Sequence, residues 1–155
     1  VSKKDCVSVT ISRNYSGPLR ITIKMTSRAM LIFAAISGLV HVAFGAFGAH
    51  VSCQALGFAE MAWIQTGLNY QSVHTLAILA LGVAMQRRSS IWFYWSSACL
   101  ALGTVLFSGS LYCLALSGLK LWVFVTPIGG TFFLIGWILM LVGALRLGQK
   151  AQRHE

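Results

Sequence analysis

The sequence predicts an all-α membrane protein, four transmembrane helices in a left-handed bundle with both termini on the same side. Two observations carry that fold class. Of 155 residues, 57% are hydrophobic and only 10% charged, whereas an ordinary soluble domain is about 25% charged. The few charges are also segregated. No Asp, Glu, Lys or Arg lies between Arg28 and Glu60, Glu60 and Arg87, Arg88 and Lys120, or Lys120 and Arg146. Each gap holds the ~20 mostly apolar residues that a helix needs to cross about 30 Å of hydrocarbon. The segments are apolar nearly all round, unlike a soluble helix with its polar face. They also lack the short alternating segments of a β-barrel, and the composition is the opposite of a disordered chain.

The first helix is placed at 29–50, closing on the small-residue run Gly45-Ala46-Phe47-Gly48-Ala49-His50. The second, at 66–86, is the least apolar: Thr66, Asn69, Gln71 and His74 precede a clean aliphatic run, and Arg87-Arg88 stops it. The third runs over 91–116 and the fourth over 121–145. Thr126-Pro127 has the N-cap and first-position chemistry of a helix start, so the fourth helix proper is expected from Pro127, with a kinked longer helix as the alternative.

Formal net charge is +9, from 12 Lys+Arg against 3 Asp+Glu. The basic residues are not spread as a nucleic-acid patch would be. Lys24 and Arg28 precede the first helix, Arg87-Arg88 separate the second and third, and Arg146, Lys150 and Arg153 follow the fourth; the other two connections hold only Lys120. Cytoplasmic segments carry the Lys/Arg excess, so both termini and the turn between the second and third helices are expected in the cytoplasm. Trp92, Tyr94 and Trp95 then fall at the inner interface, with Trp63, Trp122 and Tyr112 near the outer one, where amphipathic rings settle. Mid-helix Trp137 is assigned to core packing.

Residues 1–24 read as a basic extension without the apolar stretch of a secretory signal. They form either a cytoplasmic arm on anionic lipid or sequence upstream of a true start at Met25; the second is the expectation, and 25–155 is the four-helix domain. Trp63 and Trp122 each precede an arginine by 24 residues, Arg87 and Arg146. That parallel between the halves is read as chance similarity of apolar helices.

Lipid gives helices no hydrophobic reason to associate, so close contact of small residues must supply it. Gly38 and Gly45 in the first helix, Gly103 and Ser110 in the third, and Gly129, Gly136 and Gly143 in the fourth recur every seven residues. Such a repeat keeps one stripe facing a partner with left-handed crossing.

Polar groups inside a membrane are costly and are functional candidates for that reason. Gly67, Gln71 and His74 share a face of the second helix. With His50 at the end of the first helix and Glu60 in the outer loop, Gln71 and His74 form a candidate pocket open to the outside, His74 lying about 12 Å below its mouth. The competing reading is that Gln71 and His74 glue helices together. A haem or metal held between His41 and His74 is conceivable, but no C-x-x-C-H or H-E-x-x-H accompanies it, and neither cofactor nor metal is expected. The only acids are Asp5, Glu60 and Glu155, so paired-carboxylate catalysis has no parts. Ser108-Gly109-Ser110 lacks the strand-turn-helix setting of a nucleophile elbow. An enzyme is not expected. Cys53 and Cys113 both fall toward the outer side; two free thiols are the expectation there, and a disulfide the alternative.

Several motifs together point to a family. Gly45-Ala46-Phe47-Gly48-Ala49-His50, Trp63-Ile64-Gln65-Thr66-Gly67, Tyr70-Gln71 with His74, Phe107-Ser108-Gly109-Ser110-Leu111-Tyr112 and Thr126-Pro127-Ile128-Gly129-Gly130 resemble the YgdD family of small bacterial inner-membrane proteins. The resemblance runs from Met25 to the C-terminus and implies a four-span inner-membrane protein without an assigned activity. His41 stands where the resemblance leads one to expect an apolar residue, which weakens the two-histidine site. The expectation is a non-enzymatic inner-membrane protein acting through the bilayer and other membrane proteins or copies of itself. A small transporter or channel using His50, Glu60, Gln71 and His74 is the alternative.

Overall fold

A computed structural model describes the backbone of residues 18–88 and 90–152 and the side chains of residues 27–46, 56–88 and 90–147. It holds four helices: α1 (Pro18–Ala55), α2 (Phe58–Arg87), α3 (Ile91–Ser117) and α4 (Trp122–Gln152). No strand occurs among the described residues. The stretches long and apolar enough to cross a membrane are Ser27–Ala46, Phe58–Arg87, Ile91–Ser117 and Trp122–Leu147. The predicted extension is described only from Pro18, at the start of α1, where the ring's fixed φ suits the first helical position.

The helices outrun the spans expected from composition, and the connections shrink. Only Leu56 and Gly57 separate α1 from α2, so Glu60 stands in the first turn of α2 and not in a loop. A carboxylate there faces the positive end of the helix dipole. Gly118 ends α3 in the left-handed conformation, φ 67°, with its N–H on the Leu114 carbonyl, which is the closing bond that glycine makes without a Cβ penalty. The chain then enters α4 through i→i−3 bonds from Trp122, Val123 and Phe124 to Leu119, Lys120 and Leu121. The expected helix start at Thr126-Pro127 is therefore displaced: Pro127 stands inside α4. Thr126 is not a cap; its hydroxyl bonds back to the Trp122 carbonyl at 3.1 Å.

Short connections make sequential helices antiparallel neighbours. α2 and α3 hold the middle, with α1 packed mainly on α2 and α4 mainly on α3. One apolar cluster joins Ala34, Ile78, Leu81, Met85, Phe93, Leu100 and Phe133 from all four helices. A second, toward the α1–α2 connection, gathers Ile64, Leu68, Tyr112 and Ala115.

The closest approach is between α3 and α4. A Cβ built on Gly129 would fall on the Phe107 backbone, 2.8 Å from its Cα; on Gly136 it would meet Leu100 at 2.6 Å, and on Gly143 Phe93 at 2.7 Å. Glycines at seven-residue steps up α4 thus meet residues at seven-residue steps down α3. Gly103 repeats the contact from the α3 side, against Phe133 and the Gly129 carbonyl. Hydroxyls fasten the same seam: Ser96 donates to the Gly136 carbonyl at 2.8 Å, and Ser110 and Thr126 share a hydrogen bond of 2.8 Å. At its end the Arg146 guanidinium lies 4.5 Å over the Trp92 ring, a cation–π contact.

The first helix departs from the expectation. A Cβ added at Gly38 or Gly45 meets nothing within 4 Å, so these glycines seat no neighbour within the chain. What fixes α1 to α2 is a glycine of the other helix, Gly82, whose Cβ would fall 2.9 Å from Leu31, together with polar bonds. Ser27 donates to the Gly82 carbonyl at 2.7 Å, and Ser37 and Thr75 bond at 2.6 Å.

This contrast is testable. Gly129→Ala forces backbone against backbone and is expected to cost about 1–3 kcal/mol. Gly38→Ala is expected to stay within about 0.5 kcal/mol of the parent. Reversible unfolding in mixed micelles measures both, and equal losses would show that the α3–α4 seam is not the close one.

Candidate functional site

The polar residues in the middle of α2 sort into two clusters on different neighbours. Gln71 and His74 are both buried, 4% and 5% exposed, three residues apart on adjoining faces. Gln71 turns toward α1 and α3. Its Nε2 donates to the Ser37 carbonyl at 2.9 Å and to the Ser37 hydroxyl at 3.1 Å, while its Oε1 accepts from the Tyr112 hydroxyl at 2.6 Å. One amide thereby ties three helices together, and the Ser37–Thr75 bond closes the set. Tyr112 is 7% exposed and stacks on Phe44 with ring centroids 4.7 Å apart. It is no interfacial aromatic, as its place near the outer end of α3 suggested, but a hydrogen-bond donor in the bundle. The close approach that brings it there requires Gly67, where a Cβ would lie 2.6 Å from the Tyr112 ring. Ser108, one turn along α3, donates to the Gly67 carbonyl at 2.9 Å.

His74 faces α4. Its Nδ1 lies 2.7 Å from the Tyr70 carbonyl, and its Nε2 accepts from the Trp137 indole N–H at 3.2 Å. A carbonyl can only accept and an indole N–H can only donate, so these two partners fix a neutral imidazole with the proton on Nδ1. The ring stacks on Phe133, centroids 3.5 Å apart and planes 11° from parallel; Tyr70 stacks beside it, and Phe107 packs on Tyr70 and Phe133. Trp137 is 38% exposed, so it is not the core residue expected but a partly lipid-facing ring whose N–H finds its partner inward.

Of the predicted pocket, the three members whose side chains are described, Glu60, Gln71 and His74, do not come together. Glu60 precedes Gln71 by eleven residues and His74 by fourteen, about 16 and 21 Å along a helix, because α2 begins at Phe58 and buries the pair far below its end. Gln71 and His74 diverge toward different helices. His50 lies on α1 with its side chain outside the described residues, as is that of Cys53; Cys113 is a free cysteine. The pairing of His41 with His74 finds no vacant nitrogen on His74, and the buried Nδ1 of His41 has no partner. Among the described residues, no three His, Cys, Asp or Glu side chains group as metal ligands.

Three partners escaped sequence reasoning. Trp137 is 63 residues from His74, and Ser37 and Tyr112 are 34 and 41 from Gln71. All three lie on other helices, so only the packing reveals the bonds. The signal available was a buried amide and imidazole, each needing donors and acceptors from another span.

A family model described as "Protein of unknown function (DUF423)" matches residues 44–130, a stretch that includes Gln71, His74 and Tyr112. The UPF0382 inner membrane protein YgdD of Escherichia coli K12 is 73% identical over 131 residues, 84% of this chain and 100% of the relative. A UPF0382 membrane protein of Haemophilus influenzae is 44% identical over 116 residues, 75% of this chain and 93% of its own. One from Staphylococcus saprophyticus is 34% identical over 120 residues, covering 77% and 99%. No solved structure matches.

The Gln71 cluster predicts a measurable coupling. Gln71→Leu strands the Tyr112 hydroxyl, and Tyr112→Phe strands the Gln71 carbonyl oxygen, so each single change is expected to destabilise more than its share of the double change. A double-mutant cycle on unfolding in micelles is expected to give about 0.6–2 kcal/mol of coupling, the range of interhelical hydrogen bonds in membranes. Additive losses would show that the two side chains do not bond.

Proposed function

The chain belongs to the DUF423 family of proteins of unknown function, and on that footing we propose that it is a non-enzymatic inner-membrane protein that works through partner membrane proteins or copies of itself, with both termini in the cytoplasm. The supporting observation is the closure of the two buried polar side chains in the middle of α2. His74 has both nitrogens engaged, and Gln71 has both ends of its amide engaged. Glu60 is the only acid among the described residues, and it sits in the first turn of α2, far from both. Proton-coupled transport through a bundle ordinarily uses an ionisable relay within the spans, and acid–base catalysis needs a group free to exchange its proton. Side chains that bond to one another serve instead to fix helix positions.

The orientation rests on charge. Arg28, Arg87, Arg88 and Arg146 lie toward one end of the bundle, since Ser27 meets Gly82 and Arg146 meets Trp92. Lys120 lies at the other end, between α3 and α4. The end rich in arginine is the cytoplasmic one by the positive-inside rule. The relatives named inner membrane proteins agree with the compartment.

Two measurements test this reading. Purified protein in proteoliposomes is expected to pass no ion or amine, while crosslinking in native membranes returns a stoichiometric partner or a second copy. A flux lost in Gln71→Leu would replace the reading with transport. A fluorescent protein fused after Glu155 is expected to mature, and alkaline phosphatase at the same place to stay inactive; the reverse pattern would invert the orientation.

A further inference from the structure

α1 touches α3 at few points, and between them lies a cleft of about 240 Å³. Its rim is apolar and lipid-facing: Ile36 is 57% exposed, Val40 36% and Val105 56%. These residues fall near the middle of the spans Ser27–Ala46 and Ile91–Ser117, so a molecule entering the cleft comes from the hydrocarbon of the bilayer. Gly109 forms part of the wall, and a Cβ there would meet nothing within 4 Å. An apolar cavity of about 150 Å³ is already enough to hold benzene.

The polar part of the wall restricts what fits. Ser37, Gln71, Thr104, Ser108 and Tyr112 supply the polar part of the lining. Gln71 spends both amide hydrogens on Ser37, and Ser37 and Thr75 share one hydrogen bond. Thr104, Ser108 and Tyr112 have each committed the hydroxyl hydrogen inside the protein. Thr104 donates to the Leu100 carbonyl at 2.8 Å, Ser108 to the Gly67 carbonyl and Tyr112 to Gln71 Oε1. A hydroxyl has one hydrogen and two lone pairs, so these three groups can offer the cleft only acceptors. A ketone, quinone carbonyl or carboxylate brings more acceptors and gains nothing from these three. An ammonium brings donors, but its charge would sit near mid-bilayer with no carboxylate among the lining residues, which is costly. What remains is a neutral donor on an apolar body.

We propose that the cleft between α1 and α3 binds a small neutral alcohol or phenol taken up from the bilayer, its O–H directed to the lone pairs left free by Thr104, Ser108 and Tyr112 and its hydrocarbon against Ile36, Val40 and Val105. This is a binding site separate from the bonded His74 cluster, and it requires no transport or chemistry.

Photolabelling with three diazirine probes of equal chain length tests it: an aliphatic alcohol, the matching alkane and the matching ammonium, applied to the full chain in nanodiscs. The alcohol is expected to label peptides covering residues 33–40 and 104–112, at about twofold to tenfold lower concentration than the alkane, the span that one net hydrogen bond gives. Gly109→Leu, whose Cβ would meet nothing within 4 Å and whose side chain would take up space in the cleft, is expected to abolish that labelling. Equal labelling by the alkane, preference for the ammonium, or labelling that persists in a correctly folded Gly109→Leu protein would each overturn the proposal. If Gly109→Leu does not fold, displacement of the label from the unaltered protein decides. Excess unlabelled phenol must displace it, and excess benzene must not do so equally well.

Discussion

Hydrocarbon offers no hydrogen bonds, so each polar side chain placed within a span has to find its partner inside the protein, and the packing of this bundle follows from that constraint. α2 is the least apolar of the spans, and its window is 44% buried; α3, rich in hydroxyls, is 50% buried. α1 and α4 are 11% and 22% buried, although α1 and α3 are almost equally apolar. Burial here follows the polar side chains and not overall hydropathy: α2 and α3 take the middle because only there can Gln71, His74, Ser96 and Ser108 meet partners, and α1 and α4 take the lipid.

Hydrogen bonds fix which helices meet, while small residues fix how closely. Along α3 and α4 the two devices coincide. Gly136 admits Leu100 against its backbone and in the same turn accepts the Ser96 hydroxyl on its carbonyl. A larger residue at 136 would lose the contact and, by pushing the helices apart, the bond. Between α1 and α2 they coincide once, at Gly82, which admits Leu31 against its backbone and accepts the Ser27 hydroxyl; α1, packed mainly on α2 alone, remains the least covered helix. The cleft beside α3 is the consequence of that looser attachment.

The spans were legible because charge is expensive in lipid: Arg28, Arg87, Arg88 and Arg146 mark the limits of the apolar spans whatever the helices pack against. The stretch from Val51 to Gln65 was misread because α1 and α2 continue beyond the hydrocarbon. Out there Glu60 and Gln65 cost nothing, so a polar helical turn has the composition of a loop. Pro127 misled because Thr-Pro suits the first turn of a helix, whereas here it falls in the second turn of a helix already begun at Trp122. Seven-residue spacing picks out Gly129, Gly136 and Gly143 and equally Gly38 and Gly45. It reports a stripe of small residues and carries no information on whether a partner lies over it.

His74 shows where composition stops informing about function. An imidazole in a membrane span reads as a proton carrier or metal ligand, and nothing within α2 alone argues otherwise. The deciding fact is the pair of partners, Tyr70 and Trp137, because one can only accept and the other only donate. A second proton on the ring would place N–H against N–H at Trp137 and break the only side-chain hydrogen bond between α2 and α4 among the described residues. Metal coordination through Nε2 would break the same bond. Either use would require α4 to shift, so in this arrangement the histidine acts as a strut between helices, and any chemistry at His74 would have to begin with a movement of Trp137.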